Sequence, residues 1–530
     1  MTKTKNKQEN KVAAGHALSR AHVVAGRRSK MEKEKFLAPN TFWKCYDYAQ
    51  KLIFDPNYVA TACYLILLAE VVLNYIIVEN VAYTEIDWKA YMQEVEGFLN
   101  GTLDYAQIKG DTGPCVYPAG FLYVYTAFYY LTSAGANIRL AQYIFIGIYV
   151  TQSYLTYTIT IKTCKLPGYA LILSFLTSYR IHSIYVLRLF NDPIAVLFFW
   201  AALNAFISDR WKTGSLLFSL AVSIKMNILL YSPCLLLAYM ANLNWKQTIS
   251  NLFICGIVQL FLGLPFLLTH PWSYLKASFD LGRVFQHQWT VNYRFLDEEI
   301  FTDMRFHIGL LVLHITLLGI FTPLIWKYFK AYNTLKKTLS DMKQQVPERN
   351  NEKKRVKHTK TPQKPIEEDA PLTQEQQDFL NSFEKQIKVE KPNKPPGNTK
   401  KTNKSLQHKQ SKVKNANAKL HVEKVNQDPP EPKYEINFSK VTQLFVLPFF
   451  VTNLIGIACA RSLHYQFYSW YFHSLLYLAF STPFSKPMAL LLLGLLESSW
   501  NIYPSTEWSS ATLHVVHAGL LYGLYKTMRG

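Results

Sequence analysis

The chain has 530 residues, of which 49% are hydrophobic and 18% are charged, and its formal net charge is +21. Two polar segments, residues 1–51 and 333–433, carry net charges of +8 and +10, so the remainder is almost neutral and very apolar. Uncharged runs of about 20 apolar residues recur in that remainder, which is the length needed to cross a bilayer. They exclude a soluble globular enzyme, a disulfide-rich secreted domain and a disordered protein. The positive charge flanks the apolar runs, where it sets membrane topology, and it is not interpreted as a nucleic-acid site.

The first apolar run is Asn57–Val78, and a basic segment without an early apolar stretch precedes it. This pattern predicts no cleavable signal peptide, so the first run is expected to act as an uncleaved signal anchor. Lys and Arg lie before the run and the acidic stretch 79–96 lies after it. The positive-inside rule therefore predicts a cytosolic N-terminus and a first loop, residues 79–118, on the other side of the membrane.

The first loop contains a helical pattern and two carboxylates. Apolar residues recur at helical spacing from Trp88 through Tyr91 to Leu99, which predicts an amphipathic helix at the membrane interface. Glu85 and Asp87 lie just before it. A carboxylate in such a partly dry setting can act as a general base, because burial raises its pKa. A merely solvated loop carboxylate is the alternative.

The second half of this loop is dense in Gly and Pro, which predicts a compact ordered turn region. Asp104, Asp111 and Tyr117 are candidates to face a sugar there. Asn100-Gly-Thr102 is a glycosylation acceptor sequence, which is usable only if the loop lies in the lumen of the endoplasmic reticulum (ER).

Further apolar runs follow, and together they predict 11 to 13 transmembrane helices. The run 214–241 contains Lys225, so one span and two half-spans both remain open. The predicted organisation has four parts: a basic cytosolic tail (1–52), an N-terminal membrane module (53–332) with polar loops 79–118 and 270–305, a disordered basic cytosolic insert (333–437) and a C-terminal membrane module (438–530). The insert is rich in Lys, Asn, Gln and Pro and cannot bury a core.

Ionisable side chains recur at apparent membrane depth. Such groups are costly in hydrocarbon and usually face a cavity or each other, so they predict a polar chamber inside the bundle. Structural pairing between helices and snorkelling at helix ends are the alternatives. The set consists of Arg188, Asp192, Lys225 and Glu497, with Arg461 and His464 at the edge of a later run.

The second polar loop combines cations with aromatic residues. Arg283, His287 and Arg294 are candidates to clamp a phosphate, and Arg461 and His464 lie in a similar mixture near the C-terminus. Trp289 can stack on a sugar ring or anchor the loop at the interface. No Walker A motif, Rossmann fingerprint, HExxH motif or metal-ligand cluster is present in the sequence. These features favour a lipid-phosphate donor and a site without metal or cofactor.

Six sequence blocks carry a family resemblance. They stand in family order and cover nearly the whole chain outside the basic tail and the insert. The blocks are Thr84-Glu-Ile-Asp-Trp88, Lys109-Gly-Asp-Thr-Gly-Pro114 with Val116-Tyr-Pro-Ala-Gly120, Leu189-Phe-Asn-Asp-Pro193, Ser223-Ile-Lys-Met-Asn227, Trp289-Thr-Val-Asn-Tyr-Arg-Phe295 and Arg461-Ser-Leu-His-Tyr-Gln-Phe-Tyr-Ser-Trp-Tyr471. The chain resembles the dolichyl-phosphate-mannose-dependent α-1,3-mannosyltransferases of the lipid-linked N-glycan precursor pathway.

The resemblance implies an all-α polytopic protein of the ER membrane with a GT-C type helical bundle. It implies inverting transfer of mannose from dolichyl phosphate mannose to the pentamannosyl dolichol-pyrophosphate oligosaccharide, forming an α-1,3 bond in the lumen. The base implied by the resemblance is an acidic residue of the first lumenal loop, which matches Asp87, with Glu85 as the rival. The expected partners are these two lipid-linked substrates and the ER membrane, without nucleic acid, and the oligomeric state is open.

Phosphate is a good leaving group, so such a transfer needs cations to neutralise its growing charge and no general acid. The candidates for the donor phosphate or sugar are Arg283, His287, Arg294, Arg461 and His464. The candidates for acceptor contacts or loop shape are Trp88, Tyr91, Asp104, Asp111, Tyr117 and Trp289.

Two alternative functions use the same composition. A glycolipid-anchor mannosyltransferase of the same fold would share the acidic block at Glu85–Asp87, although the blocks at 109–120 and 289–295 favour the first assignment. A polytopic lipid or solute transporter would also place charges inside the membrane. Transporters usually show paired repeats, and no clear internal repeat is visible in this sequence.

Overall fold

A computed structural model describes residues 41–279, 286–358 and 439–530. Its described part is almost entirely helical, and the one sheet within it is a two-stranded antiparallel hairpin. The hairpin pairs β1, Lys109–Gly110, with β2, Gly113–Pro114. The predicted all-α polytopic fold is therefore confirmed.

The first half of the described chain forms ten helices joined by short connections. They are α1 (41–54), α2 (Val59–Asn80), α3 (Trp88–Leu99), α4 (Ala119–Leu131), α5 (Ile138–Thr163), α6 (Gly168–Thr177), α7 (Tyr179–His182), α8 (Asp192–Ile207), α9 (Trp211–Ile224) and α10 (Ser232–Asn242). A π-helical turn, Ser183–Leu187, extends α7, and a 3-10 helix, Met226–Tyr231, precedes α10.

The second half follows the same pattern. Its helices are α11 (Trp245–Thr269), α12 (Pro271–Ser278), α13 (Glu298–Thr302), α14 (Met304–His358), α15 (Ser439–Ala458), α16 (Phe472–Ser481), α17 (Lys486–Asn501) and α18 (Glu507–Arg529). A 3-10 helix, Tyr465–Trp470, lies between α15 and α16. Capping boxes at Asn244 and Thr506 satisfy the first free N–H groups of α11 and α18.

Five described segments are helical, long and apolar enough to cross a membrane, and a sixth is a bent pair. They are Pro56–Asn80, Ile138–Thr163, Trp245–Thr269, Met304–Asp341 and Ser439–Ala458, with Gly168–Thr177 and Tyr179–Leu187 as the pair. The remaining predicted spans fall on shorter or more polar helices, so the count of 11 to 13 stays a prediction.

Helix α14 extends well beyond the apolar run that predicted it. It continues to His358, so the predicted boundary between residues 332 and 333 falls within a helix. Contacts divide the chain into two compact units, Met1–Ser340 with Ile436–Gly530, and Asp341–Glu435. The predicted N-terminal and C-terminal membrane modules thus lie mostly in one unit.

One large hydrophobic core holds this first unit together. It joins the loop helix α3 to α4, α5, α8, α9, α10, α15, α16 and α18. Helix α15 is mostly buried at its centre, whereas α11 exposes most of its apolar side chains. Exposed apolar surface of this kind suits hydrocarbon, so α11 has the composition of a lipid-facing helix.

Two interruptions within apolar runs expose polar groups inside the bundle. Helix α9 ends at Lys225, whose backbone is extended, and a 3-10 helix follows. The run 214–241 therefore forms two half-length helices. The second interruption is a bend of 54° between α6 and the segment Tyr179–Leu187. Free backbone groups at such breaks require neighbouring partners, so they mark places where polar chemistry is possible.

Candidate active site

The first loop forms the predicted amphipathic helix, and Asp87 lies at its start. Asp87 is the N-cap residue of α3 but its carboxylate makes no capping hydrogen bond. Glu85 caps the helix instead, because its Oε1 accepts a hydrogen bond from Lys89 N over 3.0 Å. The Tyr83 hydroxyl donates to its Oε2 over 2.7 Å. Glu85 is exposed, whereas Asp87 is half-buried. Because Glu85 caps the helix, the Asp87 carboxylate is left to point elsewhere.

The side chain of Tyr91 links this carboxylate to the bundle. Its ring is buried one turn into α3, and its hydroxyl lies 3.3 Å from Asp87 Oδ2 and 3.5 Å from Asn191 Oδ1. Asn191 is fully buried and precedes α8. The first loop and the Leu189–Pro193 block therefore meet at one hydroxyl group.

Lys225 lies on the far side of Asn191 and contacts both Asn191 and Asp192. Its Nζ donates to Asn191 Oδ1 over 2.9 Å and forms an ion pair of 2.6 Å with Asp192 Oδ2. The Lys225 and Asp192 side chains are 9% and 0% exposed. The indole N–H of Trp470 donates to the other Asp192 oxygen, Oδ1. A buried ion pair is retained only where such additional hydrogen bonds satisfy its atoms.

Aromatic rings enclose this charge cluster. The Lys225 ammonium lies 5.5 Å from the Tyr117 ring centre and 5.3 Å from that of Phe467. The Phe467 ring also stacks with the rings of Trp470 and His464. Cation–π contacts of this kind stabilise an ammonium group that has lost water.

We call the group Asp87, Tyr91, Asn191, Asp192, Lys225 and Trp470 the Asp87 cluster. It brings together residues from the first loop, the start of α8, the break after α9 and the 3-10 helix before α16. Four of the six sequence blocks thus contribute to one polar group.

The electrostatics of the cluster tune its one partly accessible carboxylate. Burial raises the pKa of Asp87, and the charge of Asp192 raises it further, while Lys225 and hydrogen bonds from Tyr91 and Thr112 lower it. The net effect is a pKa above the ordinary aspartate value. An aspartate with a raised pKa is a stronger base than a solvated one, and the nearby Lys225 ammonium favours its ionised form.

The second loop is joined to the Arg461–Tyr471 block by several hydrogen bonds. Val291 N donates to Leu463 O over 2.7 Å, and the Asn292 amide donates to Ala460 O while accepting from Leu463 N, both over 2.8 Å. The hydroxyls of Ser505 and Ser510 donate to Thr290 O and Val291 O. The two blocks form one ordered structure beside the Asp87 cluster.

Four of the five predicted phosphate-binding cations lie within the described residues, on the second loop and on the Arg461–Tyr471 block. Arg294 Nη1 donates to His287 O over 3.1 Å, and His287 Nε2 lies 3.2 Å from Tyr293 O, so these two residues hold their own loop. His464 stacks on Phe467 and therefore lies beside the cluster. Arg461, three residues earlier in the chain, is half-buried. Arg283 lies outside the described residues.

The predicted acceptor or loop-shaping residues have mainly structural contacts. Trp88 is buried and donates from Nε1 to Gly135 O over 3.0 Å. Asp104 accepts from the Ser273 hydroxyl over 2.6 Å, which ties the first loop to α12 and lowers the Asp104 pKa. Asp111 forms an ion pair of 2.7 Å with Lys89. The hydrogen bond within this pair is the main cause of the lowered Asp111 pKa. Trp289 remains partly exposed and donates to Gln286.

Two of the predicted membrane-depth charges, Glu497 and Arg188, do not belong to the Asp87 cluster. Glu497 accepts from the Tyr468 hydroxyl and from Asn501 Nδ2. Arg188, which follows the π-helical turn, donates to the Ser183 hydroxyl at the start of that turn. Near it lies Arg180, which sequence reasoning missed although it is a charge within the apolar run 168–187. Trp470 was also missed, because its partner Asp192 is 278 residues away.

Metal-type ligands do not gather in the described ranges. Within residues 41–279, 286–358 and 439–530, no group of three or more His, Cys, Asp or Glu side chains is placed to hold a metal ion. The chemistry that the Asp87 cluster itself can supply is proton abstraction by a carboxylate in a partly dry, positively supported setting.

Comparison with known proteins gives one consistent family. A family model described as "ALG3 protein" matches residues 64–510. The chain is 52% identical over 471 residues to the Drosophila melanogaster protein named dolichyl-P-Man:Man5GlcNAc2-PP-dolichol alpha-1,3-mannosyltransferase l(2)not2, covering 88% of this chain and 91% of that one. It is 38% identical over 503 residues to the Homo sapiens Dol-P-Man:Man(5)GlcNAc(2)-PP-Dol alpha-1,3-mannosyltransferase, covering 94% of each. The Arabidopsis thaliana protein of the same name is 38% identical, with 87% of each chain covered. No solved structure matches the chain.

Proposed function

The chain belongs to the ALG3 protein family, and we propose that it transfers mannose from dolichyl phosphate mannose to Man5GlcNAc2-PP-dolichol, forming an α-1,3 bond. It is a polytopic mannosyltransferase of the GT-C class. The glycolipid-anchor enzyme and the transporter, considered above as alternatives, are not favoured by this family membership. The observation that carries the mechanism is the convergence of four distant sequence blocks on one buried polar cluster that includes the Asp87 carboxylate.

Asp87 is the general base of the proposed reaction. The acceptor hydroxyl gives its proton to Asp87 while its oxygen forms a bond to the anomeric carbon of the donor mannose. The bond from that carbon to the phosphate oxygen breaks, and its electron pair leaves on dolichyl phosphate. Attack opposite to the leaving group inverts the anomeric centre, and holding both substrates in this order supplies proximity.

The other members of the cluster position and tune the base. Tyr91 and Asn191 fix the direction of the carboxylate through the contacts described above. Lys225 keeps Asp87 ionised, since a nearby positive charge favours the carboxylate form. Asp192 and Trp470 in turn hold Lys225, so the ammonium cannot simply capture Asp87 as its own ion-pair partner.

Topology follows from the same proposal. The protein lies in the ER membrane with its N-terminus in the cytosol and residues 79–118 in the lumen, where both lipid-linked sugars are presented. Asn100 provides a test, because it is exposed at the end of α3 within an Asn-Gly-Thr sequence. Glycosidase treatment of the protein from microsomes would report a lumenal loop as a mobility shift that Asn100→Gln abolishes. Accessibility of this loop to a cytosolic protease in sealed microsomes would contradict the orientation.

The decisive experiment uses the full chain purified in detergent with both lipid substrates. Mass spectrometry of the released glycan should show one added hexose with the wild-type protein. Asp87→Asn should lower kcat by about 10²- to 10⁴-fold, because the base is lost while the shape is kept. Glu85→Gln is the matched control and should retain activity, since the amide oxygen can still accept from Lys89 N. Full activity in Asp87→Asn, or loss only in Glu85→Gln, would contradict the assignment.

A further inference from the structure

Two arginines near the Asp87 cluster have no counter-ion of their own. None of the ion pairs among the described residues involves Arg180 or Arg188. Arg180 is only 9% exposed, and its Nε is buried without a hydrogen-bond partner in the described part of the chain. The two guanidinium groups lie within electrostatic range of each other. Burying one cation close to another is unfavourable unless an anion joins them.

The protein groups around the two arginines do not supply that anion. Arg180 Nη2 donates to Asn501 O over a long 3.4 Å, and its guanidinium lies 4.8 Å from the Tyr465 ring centre. Arg188 donates to the Ser183 hydroxyl. Glu497 lies within electrostatic range of Arg180, but its two oxygens accept from Tyr468 and Asn501. Two guanidinium groups carry ten N–H donors between them, and most remain for a ligand.

The location of the pair relates it to the base. Thr84 N donates to Leu187 O over 3.0 Å, so the segment that leads to Asp87 lies beside the residue that precedes Arg188. Arg188 and Asn191 are three residues apart, which separates their Cα atoms by at most about 10 Å. Leu189 between them has a φ of 51°, a strained value for a branched residue, and such strain is concentrated at functional sites.

The surroundings suit an amphiphilic ligand rather than a free ion. Large apolar or aromatic side chains are exposed on the segments that carry the pair or continue from its contact at Asn501, namely Leu176, Tyr179, Ile502 and Tyr503. They lie where the chain bends by 54° between α6 and α7 and where α17 ends. A phosphate held by the arginines would therefore leave its hydrocarbon tail against apolar surface that faces lipid.

We infer that Arg180 and Arg188 bind the phosphate of the polyprenyl phosphate sugar donor, an inference that rests on the proposed function. In the donor the phosphate is joined directly to the mannose that reacts, so it must lie within one sugar ring of the base. In the acceptor the pyrophosphate is separated from every mannose by two N-acetylglucosamine residues. The short distance from Arg188 to the Asp87 cluster therefore selects the donor. The phosphate gains a second negative charge as it leaves, and two arginines placed there stabilise that charge.

The first test measures binding without turnover. Purified full-length protein is titrated with farnesyl phosphate, with farnesol, inorganic phosphate and farnesyl pyrophosphate as comparison probes. Arg180→Gln and Arg188→Gln should each weaken farnesyl phosphate binding by about tenfold or more and leave farnesol unaffected, because charge-assisted hydrogen bonds are lost. Arg188→Lys should recover part of the affinity. Arg210→Gln, at an exposed turn, is the matched control and should bind as the wild type does.

Several outcomes would overturn the inference. Inorganic phosphate binding as tightly as farnesyl phosphate would indicate a free-ion site. A stronger loss for farnesyl pyrophosphate than for farnesyl phosphate would indicate the acceptor. Unchanged farnesyl phosphate binding in Arg188→Gln would exclude a phosphate role for the pair. Arg188 is half-buried, so this variant decides the question even if Arg180→Gln does not fold.

Kinetics separate this inference from the proposed function. In the mannose-transfer assay the variants should raise the KM for dolichyl phosphate mannose at least tenfold and leave the KM for the acceptor unchanged. An active wild type with an unchanged donor KM in both variants contradicts the arginine site alone. A wild type that binds farnesyl phosphate through the arginines yet transfers no mannose contradicts the function and leaves the phosphate site standing.

Discussion

The Asp87 cluster and the Arg180–Arg188 pair differ in whether their cations have a counter-ion within the described residues. In the cluster, Lys225 is matched at 2.6 Å by Asp192, and the second Asp192 oxygen accepts from Trp470. In the pair, two guanidinium groups lie within electrostatic range and share no ion pair within the described ranges. In the first region the buried cation has its counter-ion in the free protein, whereas in the second the guanidinium groups would gain one only with a bound anion. In the proposed mechanism, the residues that tune the base are therefore already paired within the fold, and the residues that receive the leaving phosphate are paired only when it is bound.

The largest expected effect comes from breaking the ion pair in the Asp87 cluster. Lys225→Met leaves Asp192 buried without its counter-ion, and we expect a loss of about 3–5 kcal/mol in the free energy of unfolding. Thermal denaturation in detergent would measure it, and adding Asp192→Asn should restore part of the loss. The exposed pair Lys336–Asp209 is the control, where Lys336→Met should cost no more than about 1 kcal/mol. Equal effects in the two variants would show that the cluster is not an integral ion pair.

A smaller effect is expected from removing a hydrogen bond to Asp87 while keeping the Lys225–Asp192 ion pair. Tyr91→Phe removes a hydrogen bond that lowers the Asp87 pKa, so the pKa should rise. The reaction needs ionised Asp87, and the acidic limb of the kcat/KM profile should therefore move to higher pH. At neutral pH we expect a loss of about two- to tenfold, the value of one hydrogen bond. A shift to lower pH would contradict the role given to Tyr91.

Removing a charge from the Arg180–Arg188 pair should change the stability of the ligand-free protein in the opposite direction. Arg188→Gln removes one of two repelling charges, so the ligand-free protein should be as stable as the wild type or more so, by up to about 1 kcal/mol. Farnesyl phosphate should stabilise the wild type against heat and stabilise this variant much less. Clear destabilisation of the ligand-free variant would mean that the arginine is structural.

The smallest effect is expected at a charged residue outside both regions. Asp111 pairs with Lys89 at the surface, where both side chains are more than half exposed. Exposed pairs contribute little, so Asp111→Asn should keep transfer activity within about twofold of the wild type. A large rise in the acceptor KM would instead place Asp111 in contact with the oligosaccharide.

Helix formation in the first loop could be predicted from the sequence, because the spacing of Trp88, Tyr91 and Leu99 depends only on local periodicity. The pairing of Lys225 with Asp192 could not be predicted, although each residue was identified as a charge at membrane depth. Hydropathy reports which side chains are unusual in an apolar run, but it carries no information on which of them meet across the bundle.

The division of roles between Glu85 and Asp87 shows the same limit at short range. Both are acidic and two residues apart, so composition and pattern treat them alike. They differ because Lys89 N and the Tyr83 hydroxyl donate hydrogen bonds to Glu85, and these contacts are visible only in the three-dimensional structure. The predicted grouping of His287 and Arg294 with a donor phosphate remains a prediction, while their visible contacts are with their own loop.

The bond from Trp470 to Asp192 has a consequence for biogenesis. It joins Asp192 to a residue that the ribosome adds 278 positions later, after the long basic insert. A nascent chain that ends before α15 contains the aspartate and the lysine but neither the indole nor the segment that pins the second loop. The enzyme therefore matures only after synthesis is nearly complete, and two separately produced fragments divided within the insert would have to reunite before either could work.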